Sequence, residues 1–361
     1  MSGIEFSGRI ARIPVYPAAD GYALGDEVAL LASNEAPFAP LPEVAEAAGR
    51  AAASAHRYPD PGATRLRTTL SGINGIAQDR IAIGNGSCDI LLALGEALLE
   101  EGSEVVYAWP SFSVYPHLAA ASGAKAVEVP LDSAHRHDLA AIAAAVTPST
   151  RLVLVCNPNN PTSTAVPTSE IVGFLESVPE DVCVVLDEAY REFVSGEDVD
   201  ANIALLDRHP NLVILRTFSK VHGLAALRVG YGLCGDPAIK TAVDQVRQPF
   251  FCNAAAQAAA IEALHHPGEI HRRVSHVVHE RKVLAEGLAA LGMESAESEA
   301  NFLWVQLPSG ADEGAVVSGL RQRDILVRAG SALGGPGWLR ITVGLPEEHQ
   351  RLLAALSELL G

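Results

Sequence analysis

From residue 81 onward the chain is a succession of short strand-like runs, unbroken and apolar at 152–156 and 182–186, separated by segments with helical periodicity. The runs cover residues 81–84, 104–108, 126–129, 152–156, 182–186, 212–216 and 229–233. Segments 89–100, 113–122, 139–146 and 168–177 space their apolar residues as helices, and further helices are expected around 237–246 and 254–265. Continuous Val/Ile/Leu runs without polar alternation belong to strands covered on both faces. Strand and helix in turn predict an α/β fold with a mostly parallel central sheet flanked by helices. Such a sheet also predicts where chemistry collects, because ligands of open α/β sheets bind outside the carboxyl ends of the strands.

After residue 266 the pattern changes. A long polar helix at 270–291 leads to a strand at 302–307, a helix at 313–323, strands at 325–328 and 338–343, and a closing helix. Mixed runs of this kind predict a smaller α+β unit. Pro267 and Gly268 mark the boundary as helix breakers. The expected organisation is an N-terminal arm (1–35), a large domain (36–266) and a small C-terminal domain (267–361).

Composition narrows the partners. With 361 residues, 48% of them hydrophobic, the chain has material for a large core. A net charge of −17 argues against a nucleic-acid backbone as partner, since that needs a basic footprint. No apolar run reaches the ~18–20 residues that cross a bilayer, and the first seven residues do not read as a signal peptide. A soluble cytoplasmic protein without membrane or nucleic-acid partners is expected. The five cysteines (88, 156, 183, 234, 252) are scattered without a Cys-x-x-Cys and read as reduced thiols. The histidines at 265–279 lack a metal-ligand spacing and read as a solvated face. No metal is expected, and Gly84-x-Gly86 is too short for a dinucleotide fingerprint.

Only four lysines occur, at 125, 220, 240 and 282. Three lie where solvated surface is expected. Lys220 stands just past the buried run 212–216, in Arg216-Thr217-Phe218-Ser219-Lys220. There an amine can be partly desolvated and nucleophilic, although alone it could equally be a loop lysine snorkelling to water. Other strand ends supply companions. Asp187-Glu188-Ala189-Tyr190 follows 182–186, Asn160 follows 152–156, and Gly84-Asn85-Gly86-Ser87-Cys88-Asp89 follows 81–84. Arg228 lies just before the run at 229–233. Together they suit one cofactor. An acid for a pyridinium nitrogen (Asp187), donors for a phenolic oxygen (Asn160, Tyr190), a phosphate cradle (Gly86-Ser87-Cys88, Ser219, Arg228) and an amine for an aldehyde (Lys220) describe pyridoxal 5′-phosphate.

With these motifs in order, the sequence resembles the fold-type I, class I/II aminotransferases that use pyridoxal phosphate, and among them the histidinol-phosphate aminotransferases. The likeness runs from Leu31-Ala32-Ser33-Asn34-Glu35 and Tyr58-Pro59-Asp60 to Leu339-Arg340-Ile341-Thr342-Val343-Gly344. It implies that Lys220 binds the cofactor covalently and shuttles the proton, that Asp187 pairs with the ring nitrogen, and that Phe112 stacks on the ring. It also implies a homodimer in which Tyr58 reaches the neighbouring subunit's cofactor phosphate. Arg340, Arg328, Asn34 and Tyr16 match substrate-contacting positions, with Arg340 gripping the substrate's anionic group.

Three departures from the pattern stand out: Ser163 replaces a glycine after Asn160-Pro161-Thr162, Cys88 replaces Asn or Asp, and Ala226 replaces a glycine. The serine form is also similar to the aromatic-amino-acid aminotransferases. The expected reaction is ping-pong transfer between an amino donor and a 2-oxo acid, with histidinol phosphate and 2-oxoglutarate as the leading pair. An aromatic (phenylalanine/tyrosine) aminotransferase is the alternative, and a threonine-phosphate decarboxylase a more distant one.

Overall fold

All seven runs enter one sheet, the run at 126–129 as a largely exposed edge strand and the others buried. The computed structural model describes residues 5, 6, 8, 10–13, 25 and 27–361. After a 3-10 turn at Ile10–Arg12 come strand β1 (Ala29–Leu30) and helices α1 (Pro42–Ala52) and α2 (Thr64–Asn74). Alternation then sets in with β2 (Ile81–Gly84), α3 (Ser87–Leu98), β3 (Glu104–Trp109), α4 (Tyr115–Ser122), β4 (Lys125–Pro130) and α5 (Leu139–Ala144). It continues through β5 (Thr150–Cys156), α6 (Thr168–Ser177), β6 (Cys183–Asp187), β7 (Leu212–Thr217), β8 (Gly230–Cys234), α7 (Pro237–Val246) and α8 (Ala254–Ala263). The C-terminal part holds α9 (Pro267–Ala290), β9 (Phe302–Gln306), α10 (Glu313–Arg321), β10 (Ile325–Leu326), β11 (Arg328–Ala329), β12 (Trp338–Thr342) and α11 (Pro346–Leu360).

The large sheet has the order β2-β8-β7-β6-β5-β3-β4. Its strands run parallel except β8, which pairs antiparallel with both β2 and β7. Successive residues of β5 show why these runs are apolar throughout. Val153 and Val155 enter one core with Ile142, Phe174 and Ile214, whereas Leu152, Leu154 and Cys156 enter another with Ile90, Tyr107 and Leu118. Both faces are covered by helices, so period-2 polarity has no place. Each fully buried Val or Leu contributes roughly 1.5–3 kcal/mol of transfer free energy.

A three-stranded antiparallel sheet, β11-β12-β9, forms in the C-terminal part. The segment expected as an N-terminal arm is stitched to the C-terminal part through a separate two-stranded parallel sheet, β1-β10. Ala29 and Leu30 pair with Ile325 and Leu326, and Ala29 and Leu31 join a core with Leu288, Leu339, Ile341 and Leu352. Two local expectations change. Residues 325–328 divide into β10 and β11 in different sheets, and Pro267 opens α9 rather than interrupting a helix, as suits a residue without an N–H. The long helix is also less solvated than its composition suggests. Arg273, Glu280 and Arg281 are buried, and His276 packs edge-on against Phe38 with ring centroids 5.2 Å apart. No helix among the described residues is long and apolar enough to cross a membrane.

Candidate active site

Ends of β2, β3, β5, β6, β7 and β8 meet at one rim of the large sheet. Because β8 runs antiparallel to its neighbours, Arg228, just before its first residue, arrives at the same edge as the carboxyl ends of β2, β5, β6 and β7. A cavity of about 610 Å³ opens there. Lys220, Asp187, Tyr190, Asn160, Phe112 and Ser219 line it, as do Gly86, Ser87, Cys88 and Arg228. Asn34, Arg328 and Arg340 line its other side. Of the described residues singled out in the sequence for the site, Tyr58 alone does not line this cavity. Tyr58 is 80% exposed and stacks on Phe250 at 4.4 Å, and Tyr16 lies outside the described residues.

Lys220 follows the buried strand β7, and its Nζ donates to the Ser33 carbonyl at 3.2 Å. Burial, reinforced by the positive charges of Arg340 and Arg228, pulls its ammonium down to about 7 despite the opposing pull of Glu35 and Asp187. Asp187 is the last residue of β6 and only 4% exposed. Its Oδ1 accepts from Ala189 N at 3.2 Å and its Oδ2 from the Tyr115 hydroxyl at 3.3 Å. Burial nevertheless pushes the carboxyl up to about 6. A buried acid left with two neutral donors suits a cationic partner, which would restore its ionised form.

Tyr190 is buried, and its hydroxyl oxygen accepts from Asn34 Nδ2 at 3.1 Å and Asn160 Nδ2 at 3.4 Å. Both bonds are received by the oxygen, so the phenolic proton remains available to donate. Asn160 Oδ1 in turn accepts from Arg340 Nη1 at 2.7 Å, and Arg340 Nη2 donates to the Ala32 carbonyl at 2.5 Å. A guanidinium fixed from behind in this way presents a set orientation to an anion.

At the other end of the cavity, α3 begins without a side-chain cap, which leaves first-turn N–H groups to an anion. Arg228 donates to Ser219 Oγ at 3.4 Å and to the Asn85 carbonyl at 3.2 Å. A Cβ on Gly86 would lie 2.6 Å from Arg228 Nη2. A Cβ on Gly230 would collide with the Ser87 amide nitrogen. Both glycines are therefore needed for the arginine and the helix start to converge. An anion cradle at one end, a buried acid at the other and an amine between them fit pyridoxal phosphate by the chemistry of their donors.

Sequence reasoning missed two features. Tyr115, whose hydroxyl meets Asp187, lies in the same short motif as Phe112, and its place three residues on, at the start of a helix turned toward β6, was the available signal. Asn159 was also overlooked. Its Oδ1 accepts from Ser111 Oγ at 2.7 Å and His137 Nε2 at 3.0 Å, and its Nδ2 donates to Thr162 Oγ1 at 2.8 Å. That network holds the loop from which Asn160 projects. Ser163 in this loop adopts φ 61 while buried, the left-handed conformation that a glycine reaches without strain. Cys88 reaches the cavity, but burial pushes its thiol up to about 11. Among the described residues no three His, Cys, Asp or Glu gather as a metal site.

Residues 26–356 match the family described as aminotransferase class I and II. The chain belongs to that family. It is 46% identical over 325 residues to an aromatic amino acid aminotransferase of Thermobifida fusca (strain YX), covering 90% of this chain and 88% of that one. It is 44% identical over 333 residues to histidinol-phosphate aminotransferase 2 of Ralstonia nicotianae, covering 92% and 88%. The crystal structure of histidinol-phosphate aminotransferase from Sinorhizobium meliloti in complex with pyridoxal-5′-phosphate superposes with a TM-score of 0.88 at 29% identity, over 99% of this chain and 98% of that one. The aminotransferase is thus a fold-type I enzyme that uses pyridoxal phosphate, as its sequence motifs implied.

Proposed function

We propose that this aminotransferase moves an amino group between an aromatic amino acid and a 2-oxo acid, with Lys220 as its nucleophile and proton carrier. The observation that carries the reading is the shared cavity of two groups. Arg340, anchored by Asn160 and Ala32, faces the same space as the Lys220 amine. An α-amino acid brings a carboxylate for Arg340 and an amine that would take the place of the Lys220 amine on the cofactor. Bound in the cavity, pyridoxal phosphate supplies an electron sink for the charge that develops at the substrate's α-carbon.

The residues divide the remaining work. Asp187 would keep the ring nitrogen protonated, and the Tyr115 hydroxyl orients Asp187. Tyr190 and Asn160 would donate to the ring oxygen, and Phe112 would pack on the ring. Ser219, Arg228 and the amides of Gly86-Ser87-Cys88 would hold the phosphate. Lys220, its ammonium drawn down to about 7 by burial, would hold the cofactor's aldehyde carbon as a neutral amine and would carry the proton to and from the substrate carbon. Asn34 orients Tyr190. Tyr58, exposed in its own chain, is assigned to the phosphate of a second copy in a homodimer.

The aromatic substrate takes precedence over histidinol phosphate on two grounds. The relative from Thermobifida fusca carries that name at 46% identity, and Ser163 keeps the serine form of the asparagine loop. Histidinol phosphate remains the second reading because Arg328 joins Arg340 in the cavity, and a phosphate accepts more than one guanidinium. Comparing kcat/KM for phenylalanine and histidinol phosphate with 2-oxoglutarate as acceptor decides between them. A preference for phenylalanine is expected; a preference for histidinol phosphate would reverse the assignment.

A further inference from the structure

The cavity has two walls. One is the rim of strand ends, and the other comes from residues 32–35 and the C-terminal part, through Arg328, Leu333 and Arg340. On this second wall Leu333 is the single large apolar side chain among the described residues, the other long ones being Glu35 and the two arginines. It is 6% exposed and sits on a 3-10 turn, Ser331–Leu333, directly after β11.

The loop that carries Leu333 is unusually well fixed. One carboxylate ties both of its ends: Glu313 Oε1 accepts from Ser331 N at 3.0 Å and Ser331 Oγ at 2.6 Å, and Glu313 Oε2 accepts from Gly337 N at 2.6 Å. Inside that clamp, Leu333 N and Gly335 N both donate to the Gly330 carbonyl at 2.8 Å. Gly334, at φ 86, rests on the indole of Trp109, where a Cβ would lie 2.8 Å from Nε1. The contact spans the cleft, since Trp109 ends β3 and the loop belongs to the C-terminal sheet. A short glycine loop with hydrogen bonds at both ends aims its one bulky side chain into the cavity at small conformational cost.

Building on the proposed grip of Arg340 on the substrate's anion, we infer that Leu333 is a specificity-determining residue. Its isobutyl group packs against the ring of the substrate's side chain while Arg340 holds the carboxylate. Glu313 is the positioning residue that keeps Leu333 there without touching substrate. A donor with a polar side chain, such as glutamate, gains nothing from this contact. The ratio of aromatic to glutamate turnover is therefore the quantity Leu333 sets.

The test compares holoenzyme variants Leu333→Ala, Leu333→Met, Glu313→Gln and Arg340→Lys. Donors are phenylalanine and glutamate, and binding of the unreactive acids 3-phenylpropanoate and glutarate is measured by calorimetry. Leu333→Ala should lower the phenylalanine-to-glutamate ratio of kcat/KM by about tenfold, the scale of a few lost carbons in an apolar pocket. The loss should appear in KM, and 3-phenylpropanoate should weaken relative to glutarate by a similar factor. Leu333→Met should restore most of the ratio, and Glu313→Gln should shift it in the same direction, through KM. Equal losses for both donors and both acids, or no change in the ratio in any Leu333 or Glu313 variant, would overturn the inference. Arg340→Lys separates this from the underlying reading: it should weaken both acids, and if it weakens neither, the anion grip itself is wrong.

Discussion

A lysine held at the end of a buried strand differs from a surface lysine chiefly in its proton. With an ordinary pKa near 10.4, fewer than about one amine in 10³ is neutral at pH 7. Lys220, drawn down to about 7 by burial and by Arg340 and Arg228, has its titration shifted into the neutral pH range. Since only the neutral amine attacks an aldehyde, uptake of pyridoxal phosphate by the apo-enzyme should accelerate as pH rises, with a midpoint near 7 and a plateau above it. Stopped-flow absorbance checks this, and a rate still climbing steeply beyond pH 9 would place the amine in ordinary solvent. The sign carries to stability. Between about 7 and the ordinary lysine value the folded apo-chain binds fewer protons than the unfolded one, so the penalty from this group shrinks as pH rises through that window. At this scale the sequence was informative where chemistry restricts residue type. A scarce lysine and an acid just past buried runs, and an arginine just before one, named themselves. Tyr115 did not, because a tyrosine beside a helix start is also an ordinary core residue, and only the register of α4 against β6 brings its hydroxyl to Asp187.

The elements place these residues through the ends of strands. β6 and β7 are joined beyond their backbone ladder by a buried ion network. Glu188 Oε2 accepts from Arg216 Nε at 3.0 Å and Nη2 at 2.9 Å, Glu188 Oε1 accepts from Asn202 Nδ2 at 2.6 Å, and Arg216 Nη1 donates to Asp200 at 2.6 Å. Glu188 is fully buried and next in sequence to Asp187, and its partner Arg216 lies four residues before Lys220, so the pair braces both arms of the cavity. Glu188→Gln should cost about 3–5 kcal/mol, as removal of one partner of a buried pair does, read as a lowered denaturant midpoint with an unchanged slope. A change of less than 1 kcal/mol would show the network to be dispensable. The strands were legible as continuous apolar runs, whereas the Glu188–Arg216 pairing was not, since it joins residues far apart in sequence and depends on the order β6-β7. The division of 325–328 between two sheets escaped for a related reason. Four apolar-rich residues look like one strand, and only the partners, β1 on one side and β12 on the other, separate them.

Over the whole molecule, the large sheet supplies one wall of the cleft, and residues 32–35 with the C-terminal sheet supply the other. The exposed pair Tyr58 and Phe250 stands away from the chain's own cavity, which fits a role at a second copy's site. If each site borrows Tyr58 from its neighbour, mixing a Tyr58→Ala dimer with a Lys220→Ala dimer after subunit exchange should restore activity. One intact site forms in each mixed dimer, so recovery of up to about a quarter of the wild-type rate is expected from random exchange. No recovery despite exchange would place Tyr58 outside the neighbour's site. The alternation of buried runs announced the large sheet and its rim, but the stitching of residues 29–31 into the C-terminal core is a long-range pairing that local pattern does not record. All of this rests on one amine meeting one cofactor at one rim. The most direct measurement is to load the enzyme with pyridoxal phosphate, reduce it with borohydride and map the modified peptide by mass spectrometry. The modification should fall on Lys220 and vanish in Lys220→Ala. Its appearance on Lys125, Lys240 or Lys282, or on no lysine, would contradict the account.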